Sequence, residues 1–354
     1  MSVAGETSAV VWIESLSPWP PDGFGLDRMH DLLERLDHPE RAFPAIHVVG
    51  TNGKSTATRA IAALLRAEGL RAGAYTSPHV SGWAERLDTD AETFERALAR
   101  VRPAAEALKA TQFEALTAAA LAQFAADRVD VAVVEAGLGG RLDATNVLET
   151  RIVLLTNVGL EHTDVLGTTR EEIAREKLAV VRPGATAVLG EPEWAYLVPE
   201  NEVILGGARE AAAAFLGRPI DLEVEAALAG RLERRGNEIR DGAHTPEAVE
   251  WLLERLPRLG DYVICASILA DKDVDGMLAR LAQAGDTFVA TASSNPRALP
   301  ADDLARRARG RFSDVETVPD PTAALARARE LAQAHRPVLV TGSLYLLADL
   351  NSML

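Results

Sequence analysis

The sequence predicts an α/β protein with two domains, of which the first contains a mainly parallel sheet flanked by helices. The chain has 354 residues, the usual length of about two domains. Apolar runs of strand length alternate with turns and helical patterns, and continuous apolar runs are typical of parallel strands buried on both sheet faces. The predicted strands are Ile46–Val49, Val131–Val134, Ile152–Thr156, Thr186–Leu189, Tyr262–Ala266, Phe288–Ala290 and Val338–Val340.

A change in pattern marks the predicted domain boundary. Between Gly190 and Leu228 the chain contains prolines, a glycine pair and an alanine-rich helix, with little strand signal. We therefore predict domains of residues 1–228 and 229–354. The second domain is the smaller one, and its alternation of strands and helices predicts a Rossmann-like α/β fold.

Composition and charge exclude several classes of protein. The chain is 47% hydrophobic and 25% charged, as ordinary globular proteins are. Its formal net charge of −15 argues against general nucleic-acid or membrane-surface binding, because phosphate-rich partners would be repelled. The single cysteine, Cys265, lies in an apolar run and is interpreted as a small buried hydrophobe. Neither a secretory signal pattern nor a run of about 18 apolar residues is found, so we expect a cytoplasmic enzyme.

A glycine-rich turn follows the first predicted strand and precedes a helical pattern. Strand, turn and helix in this order aim backbone N–H groups and the positive end of the helix dipole at one point, which suits a triphosphate. Lys54 would neutralise the outer phosphates, and the motif is a shortened Walker loop, so this domain is predicted to be a P-loop domain that binds ATP. The predicted nucleotide-binding residues here are Gly50, Thr51, Asn52, Gly53, Lys54, Ser55 and Thr56.

Glu135 follows four apolar residues and should end a buried strand, at the sheet edge where parallel sheets bind ligands. A carboxylate across from a P-loop is suited to hold a magnesium ion, whose charge phosphoryl transfer requires. The alternative is a carboxylate that caps a neighbouring helix.

Lys177 lies on the apolar side of a predicted helix. The helix begins with a capping-box pattern, Thr169 and Glu172, and its apolar stripe includes Ile173 and Val180. Burial would lower the pKa of Lys177 and favour the neutral amine, which can add carbon dioxide to form a carbamate. The alternative is a lysine that extends along the surface to water.

Blocks of sequence in one order over nearly the whole chain show a resemblance to a known family. Besides the loop Gly-Thr-Asn-Gly-Lys and its hydroxyl pair, the blocks are Phe24–Met29, Leu32–Leu36, Tyr75–His79, Phe113–Thr117, Glu135–Asn146, Glu176–Lys177, Asp241–His244, Asp271–Asp273 and Gly342–Tyr345. In these blocks the chain is similar to folylpolyglutamate and dihydrofolate synthases of the Mur-ligase superfamily.

The resemblance implies an ATP-dependent amide ligase. Such an enzyme joins L-glutamate to the carboxylate of a pteroate or folate through an acyl phosphate. The implied partners are ATP, L-glutamate and dihydropteroate or a reduced folate, and the implied cofactor is Mg²⁺, with two ions bound. The family also favours a monomer.

The same resemblance assigns roles to individual residues. It implies that Lys177 is carbamylated, that the second domain closes over ATP, and that Lys54, Lys177 and His244 are catalytic. Arg231 would reach the ATP phosphates, Asp241 the ribose, and His244 would lie near the reacting end of the substrate. The implied metal ligands are Ser77, Glu135, His162 and Lys177.

Some positions differ from the family pattern. The asparagine expected to contact adenine is not evident near Arg209, Thr245 replaces an asparagine, and Leu228-Ala229 replaces a Trp-Pro pair. Adenine and substrate contacts are therefore less firmly predicted than phosphate and metal contacts, and an altered pterin specificity is an open alternative.

Two other functions compete with the folate ligase. A cell-wall Mur ligase would need a further N-terminal domain for its UDP-linked substrate, and only 45 residues precede the first predicted strand. The second competing function is that of a P-loop protein that binds nucleotide without ligating anything. Within the folate ligases, the sequence does not decide between three activities: adding the first glutamate to dihydropteroate, extending the glutamate tail of a folate, or both.

Overall fold

The structure is a computed structural model, and it describes residues 8–20, 23–222, 224, 229–333 and 335–351. The chain divides into two compact units. The first contains Met1–Ser77 and Trp83–Ala226, and the second contains Pro78–Gly82 and Ala227–Leu354. The boundary predicted between residues 228 and 229 adjoins residues 225–228, which lie outside the described part, and it stays a prediction.

The first unit contains a six-stranded parallel sheet with the order β2-β3-β1-β4-β5-β6. Its strands are β1 (Ala45–Val49), β2 (Ala72–Tyr75), β3 (Val131–Glu135), β4 (Thr150–Leu155), β5 (Thr186–Leu189) and β6 (Glu202–Leu205). Val48 of β1 lies opposite Glu135 of β3 and Leu154 of β4, so the carboxyl ends of these strands lie at one level. The predicted mainly parallel sheet is confirmed.

Helices cover both faces of this sheet. Val48 packs with Ile61 of α3 on one face, whereas Val49 packs with Ile173 of α7 on the other, because successive side chains of a strand point to opposite faces. The helices are α1 (Ala9–Ser15), α2 (Asp27–Glu34), α3 (Lys54–Ala67), α4 (Ala91–Leu108), α5 (Gln112–Asp127), α6 (Thr163–Leu166), α7 (Arg170–Leu178) and α8 (Ala208–Leu216). Short 3₁₀ turns lie at Pro39–Arg41, Trp83–Leu87, Ala144–Val147 and Pro192–Leu197.

The second unit contains a smaller α/β fold with the strand order β11-β10-β9-β12-β8-β7, in which only β7 is antiparallel to its neighbour. The predicted Rossmann-like domain is confirmed. Its strands are β7 (Glu233–Arg235), β8 (Glu238–Arg240), β9 (Val263–Ala266), β10 (Thr287–Ala290), β11 (Asp314–Thr317) and β12 (Val338–Thr341). Its helices are α9 (Pro246–Leu253), α10 (Val274–Leu281), α11 (Ala301–Ala308), α12 (Pro321–Ala332) and α13 (Leu344–Asn351).

Several strands were missed by the sequence prediction. The stretch from Gly190 to Leu228, expected to contain little strand, includes β6. Edge strands β6 and β11 are partly exposed, and β11 reads Asp-Val-Glu-Thr. Strand β6 reads Glu-Val-Ile-Leu, and its apolar run of three residues was overlooked in a stretch rich in proline and glycine. Strand β2 is buried but reads Ala-Gly-Ala-Tyr, which has no β-branched residue. No helix in the described part has the length and apolar character that a membrane span requires.

Candidate active site

The predicted site residues of the first unit gather at the carboxyl ends of four neighbouring strands. Gly50 follows β1, Ser77 is the second residue after β2, and Glu135 is the last residue of β3. The segment 156–162 follows β4. This edge is where parallel α/β sheets bind ligands, and here it combines a glycine turn with acidic and basic side chains.

The glycine turn is held in a conformation that requires glycine at its first position. Gly50 has a φ of +147°, and a Cβ atom there would lie 1.9 Å from Oγ1 of Thr156. Gly53, with a φ of +79°, precedes α3, and no side chain caps that helix end. The N–H groups at the start of α3 are thus available to an anion. Lys54 donates from Nζ to the carbonyl oxygens of Gly50 (3.0 Å) and Thr51 (3.1 Å).

The segment after β4 anchors this turn. The side-chain oxygen of Asn157 accepts a hydrogen bond from the Asn52 amide (2.9 Å). The backbone carbonyl of Asn157 accepts a second one from the Thr51 amide (3.0 Å). Gly159 donates from its amide to Oγ1 of Thr51 at 2.9 Å. These residues were not singled out from the sequence, because the contacts join positions more than 100 residues apart.

Glu135 connects the glycine turn to the segment after β2. Its side chain is buried, and its two oxygens accept hydrogen bonds from Oγ of Ser55 and from the amide of Ser77, each at 3.0 Å. These hydroxyl and carboxylate oxygens are ligands of the kind that Mg²⁺ prefers. Ser55 was predicted to bind nucleotide, and its contact with Glu135 also makes it a candidate metal ligand.

Lys177 is buried on α7, with 1% of its side chain exposed. Its Nζ donates to the Gly50 carbonyl (2.8 Å) and to Oε1 of Glu161 (2.7 Å). Burial and the nearby charge of Lys54 lower the pKa of Lys177 to about 8. The predicted capping box, burial and direction of the pKa shift are all confirmed.

Glu161 was missed by the sequence analysis. Burial alone would raise the pKa of its carboxyl, but the positive charges of Lys54 and Lys177 outweigh that effect and lower the pKa to about 2. Both lysines donate to the Gly50 carbonyl, so Glu161 balances two ammonium groups that share one acceptor. Its position directly before the predicted metal ligand His162 was a signal in the sequence that could have marked Glu161 as a site residue.

His162 is exposed, has a φ of +47° and precedes the short helix α6. Across the ranges that the structure describes, no three His, Cys, Asp or Glu side chains gather closely enough to hold a metal ion among themselves. The residues fit a divalent ion only if serine hydroxyls, a modified lysine or phosphate oxygens complete the ligand set. Buried Glu135 and the hydroxyl of Ser55 meet that condition, and the amide of Ser77 places that residue beside them.

Three further predicted residues lie in the second unit: Arg231 precedes β7, and Asp241 and His244 lie between β8 and α9. Asp241 accepts hydrogen bonds from the amides of Leu232 and Ala243, both at 2.8 Å, and burial raises the pKa of its carboxyl despite the charge of Arg231. The carbonyl of Gly242 accepts a hydrogen bond from Nδ1 of His244 at 2.8 Å, which assigns a proton to that nitrogen. Their roles toward ATP and substrate stay predictions.

Comparison with known proteins identifies the family. Residues 48–193 match the Mur ligase middle domain, and residues 230–344 match the Mur ligase glutamate ligase domain. The dihydrofolate synthase/folylpolyglutamate synthase of Escherichia coli is 30% identical over 93% of this chain and 91% of its own length. The chain belongs to the dihydrofolate synthase/folylpolyglutamate synthase family. The folylpolyglutamate synthase of Lacticaseibacillus casei is also 30% identical, over 92% of this chain and 94% of the relative.

Solved structures of this family have the same fold. A Mycobacterium tuberculosis folylpolyglutamate synthase complexed with ADP superimposes with a TM-score of 0.87, at 28% identity and with 98% of each chain covered. A bifunctional folylpolyglutamate synthase/dihydrofolate synthase with Mn, AMPPNP and L-glutamate bound gives a TM-score of 0.83, at 28% identity and with 98% of each chain covered. The predicted family, fold class and enzyme class, an ATP-dependent acid–amino-acid ligase, are confirmed.

The contact between Lys177 and Glu161 predicts how the lysine titrates. The chain contains four lysines, so the ¹³Cε signal of Lys177 can be assigned with a Lys177→Arg variant. In buffer freed of carbon dioxide, its titration midpoint should lie near pH 8. Glu161→Gln should move the midpoint to lower pH, because loss of a neighbouring negative charge favours the neutral amine. A midpoint at the ordinary value of lysine, unchanged in Glu161→Gln, would contradict this electrostatic description.

Proposed function

We propose that the chain uses ATP and a divalent cation to join L-glutamate to the carboxylate of a pteroate or folate through an acyl phosphate. The observation that carries the proposal is the direct contact of Ser55, in the phosphate-binding turn, with the buried carboxylate of Glu135. The relatives support it, since one structure contains DHPP with ADP and another contains L-glutamate with AMPPNP and Mn.

The oxygens of Ser55, Ser77 and Glu135 would hold one Mg²⁺ at this edge. A carbamate on Lys177, together with His162, would provide ligands for a second ion. When bound, the metal offsets the negative charge that develops on the transferred phosphoryl group.

The residues of the chain position the reactants rather than react with them. A carboxylate oxygen of the acid attacks the γ-phosphorus of ATP, the bond to the bridging oxygen breaks, and ADP leaves. The uncharged amino nitrogen of glutamate then attacks the acyl carbon, the bond to the phosphate oxygen breaks, and phosphate leaves as the amine loses its proton. Lys54 and the N–H groups at the start of α3 bind the phosphates, and His244 orients the reacting end of the substrate.

The environment of Lys177 suits carbamylation. A pKa near 8 leaves part of the lysine population neutral at physiological pH, and the neutral amine adds carbon dioxide with release of one proton. The resulting anion would no longer attract Glu161, so the carbamate would turn toward a cation.

A phosphate-release assay with dihydropteroate and tetrahydrofolate supplied separately tests the reaction. Phosphate should be released only when ATP, a divalent cation, an acid substrate and L-glutamate are all present. Release with dihydropteroate identifies addition of the first glutamate, and release with tetrahydrofolate identifies tail extension. Phosphate release that does not depend on either acid would favour the nucleotide-binding alternative. A monomeric state and a cytoplasmic location stay predictions.

Variants of Lys177 test the carbamate. Lys177→Ala should lose activity by about 100-fold or more and regain part of it with a short carboxylic acid that occupies the place of the carbamate. Lys177→Arg should stay inactive. With ¹³C-labelled bicarbonate, the wild-type chain should show a carbamate signal that both variants lack. Wild-type turnover by Lys177→Arg would remove this part of the proposal.

A further inference from the structure

His47 lies inside the central sheet without a role in the reaction described above. It is the middle residue of β1, its side chain is 0% exposed, and its strand neighbours are aliphatic. Burial lowers its pKa to about 3, so the imidazole is neutral. Its Nε2 lies 2.8 Å from Oγ1 of Thr145, whereas its Nδ1 has no hydrogen-bond partner within the described residues.

The hydrogen bonds that continue from His47 run in one direction. The hydroxyl of Thr145 contacts Oδ1 of Asp143, and that carboxylate also accepts the amides of Thr145 (3.0 Å) and Leu138 (2.7 Å). Burial raises the pKa of the Asp143 carboxyl, and hydrogen bonds from Leu138, Thr145 and Gly137 oppose that effect. Surrounded by these donors, the carboxylate acts as the acceptor, so the hydroxyl proton points to Asp143. The Thr145 oxygen must then accept from His47, which places the imidazole proton on Nε2 and leaves Nδ1 without a proton.

Asp143 in turn folds the segment 136–146 back on itself. This segment begins directly after Glu135, and the bond from the Leu138 amide to Asp143 closes it into a loop. The carbonyl of Glu176 accepts a hydrogen bond from the amide of Arg141 at 3.1 Å. The loop is therefore fixed at one end to β3 and at its middle to α7.

The contact between this loop and α7 leaves no space for a side chain. A Cβ atom at Gly140 would lie 2.7 Å from the carbonyl oxygen of Lys177 and 2.8 Å from that of Glu176. Backbone atoms cannot swing away as a flexible side chain does, so a shift of the loop would shift the end of α7 that bears Lys177. The loop thus links Glu135 to Lys177 by packed backbone.

We propose that His47 is a positioning residue which, through Thr145 and Asp143, fixes the segment 136–146 and so sets the spacing between Glu135 and Lys177. The inference rests on the proposed function, in which Glu135 and the modified Lys177 each help to hold one of the two metal ions that accompany the nucleotide. A histidine is suited to this place because its N–H donates to a hydroxyl whose own proton is already directed elsewhere. An aliphatic residue of similar size would fill the space but leave Thr145 without its donor.

Three variants separate the hydrogen bond from the volume of the side chain. His47→Leu fills the site and removes the donor, and His47→Gln keeps an N–H group at similar reach. Thr145→Val removes the middle member of the chain. The matched control is Val131→Ala. Val131 is buried at the amino end of β3, so its truncation should destabilise the same strand at a point far from the loop.

Two measurements on the full chain test the proposal, and neither is enzyme activity. The first is amide hydrogen exchange of peptides that cover residues 136–146. The second is the dissociation constant of Mn²⁺ in the presence of AMPPNP, measured by electron paramagnetic resonance. His47→Leu and Thr145→Val should each speed the exchange and raise the Mn²⁺ dissociation constant by about tenfold or more, as loss of residues that orient metal ligands does. His47→Gln should stay within about threefold of the wild type, and Val131→Ala should leave the constant unchanged.

The outcomes distinguish this proposal from the proposed function. If His47→Leu and Thr145→Val match Val131→Ala in both measurements, His47 only fills space and the inference is wrong. If His47→Leu does not fold, the comparison of Thr145→Val with Val131→Ala decides alone. If the wild-type chain binds no Mn²⁺ with AMPPNP, the proposed function fails, whereas faster exchange in the two variants would still support the hydrogen-bond chain.

Discussion

The buried carboxylate of Glu135 is the constraint on which the rest of the site depends. An ionised carboxylate away from water is costly unless hydrogen bonds or a cation compensate it. Ser55 and Ser77 supply two hydrogen bonds, and they can do so only because β1, β2 and β3 end at one level. The parallel sheet therefore brings the phosphate-binding turn and the candidate metal site within a single hydrogen bond of each other.

Beside that carboxylate, two lysine side chains converge on the glycine turn. Lys54 and Lys177 both donate to the Gly50 carbonyl, and Glu161 is in direct contact with Lys177. Phosphate oxygens could replace the carbonyl as acceptor for Lys54, since its side chain lies folded over the turn. A local cluster of this kind allows a chain with a net charge of −15 to bind a polyanion.

The sequence predicted the parts of the site whose signal is local. The glycine turn, the strand-terminal Glu135 and the apolar stripe with Lys177 could each be recognised within a short window. Glu161, Asn157 and the chain from His47 to Asp143 could not, because their contacts join residues that are distant in sequence. The fold shows the same limit of local signals. Buried central strands were predicted from their apolar runs, whereas edge strand β11 mixes polar and apolar residues and β6 has three apolar residues between a glutamate and a glycine pair.

The most direct test of the reaction is to follow oxygen from the acid substrate into phosphate. The acid is supplied with ¹⁸O in both oxygens of the reacting carboxylate, and the phosphate released in the presence of ATP and L-glutamate is analysed by mass spectrometry. An acyl phosphate requires that each phosphate carries one ¹⁸O atom from the carboxylate, while the other remains in the new amide. Amide formation with unlabelled phosphate would contradict the account.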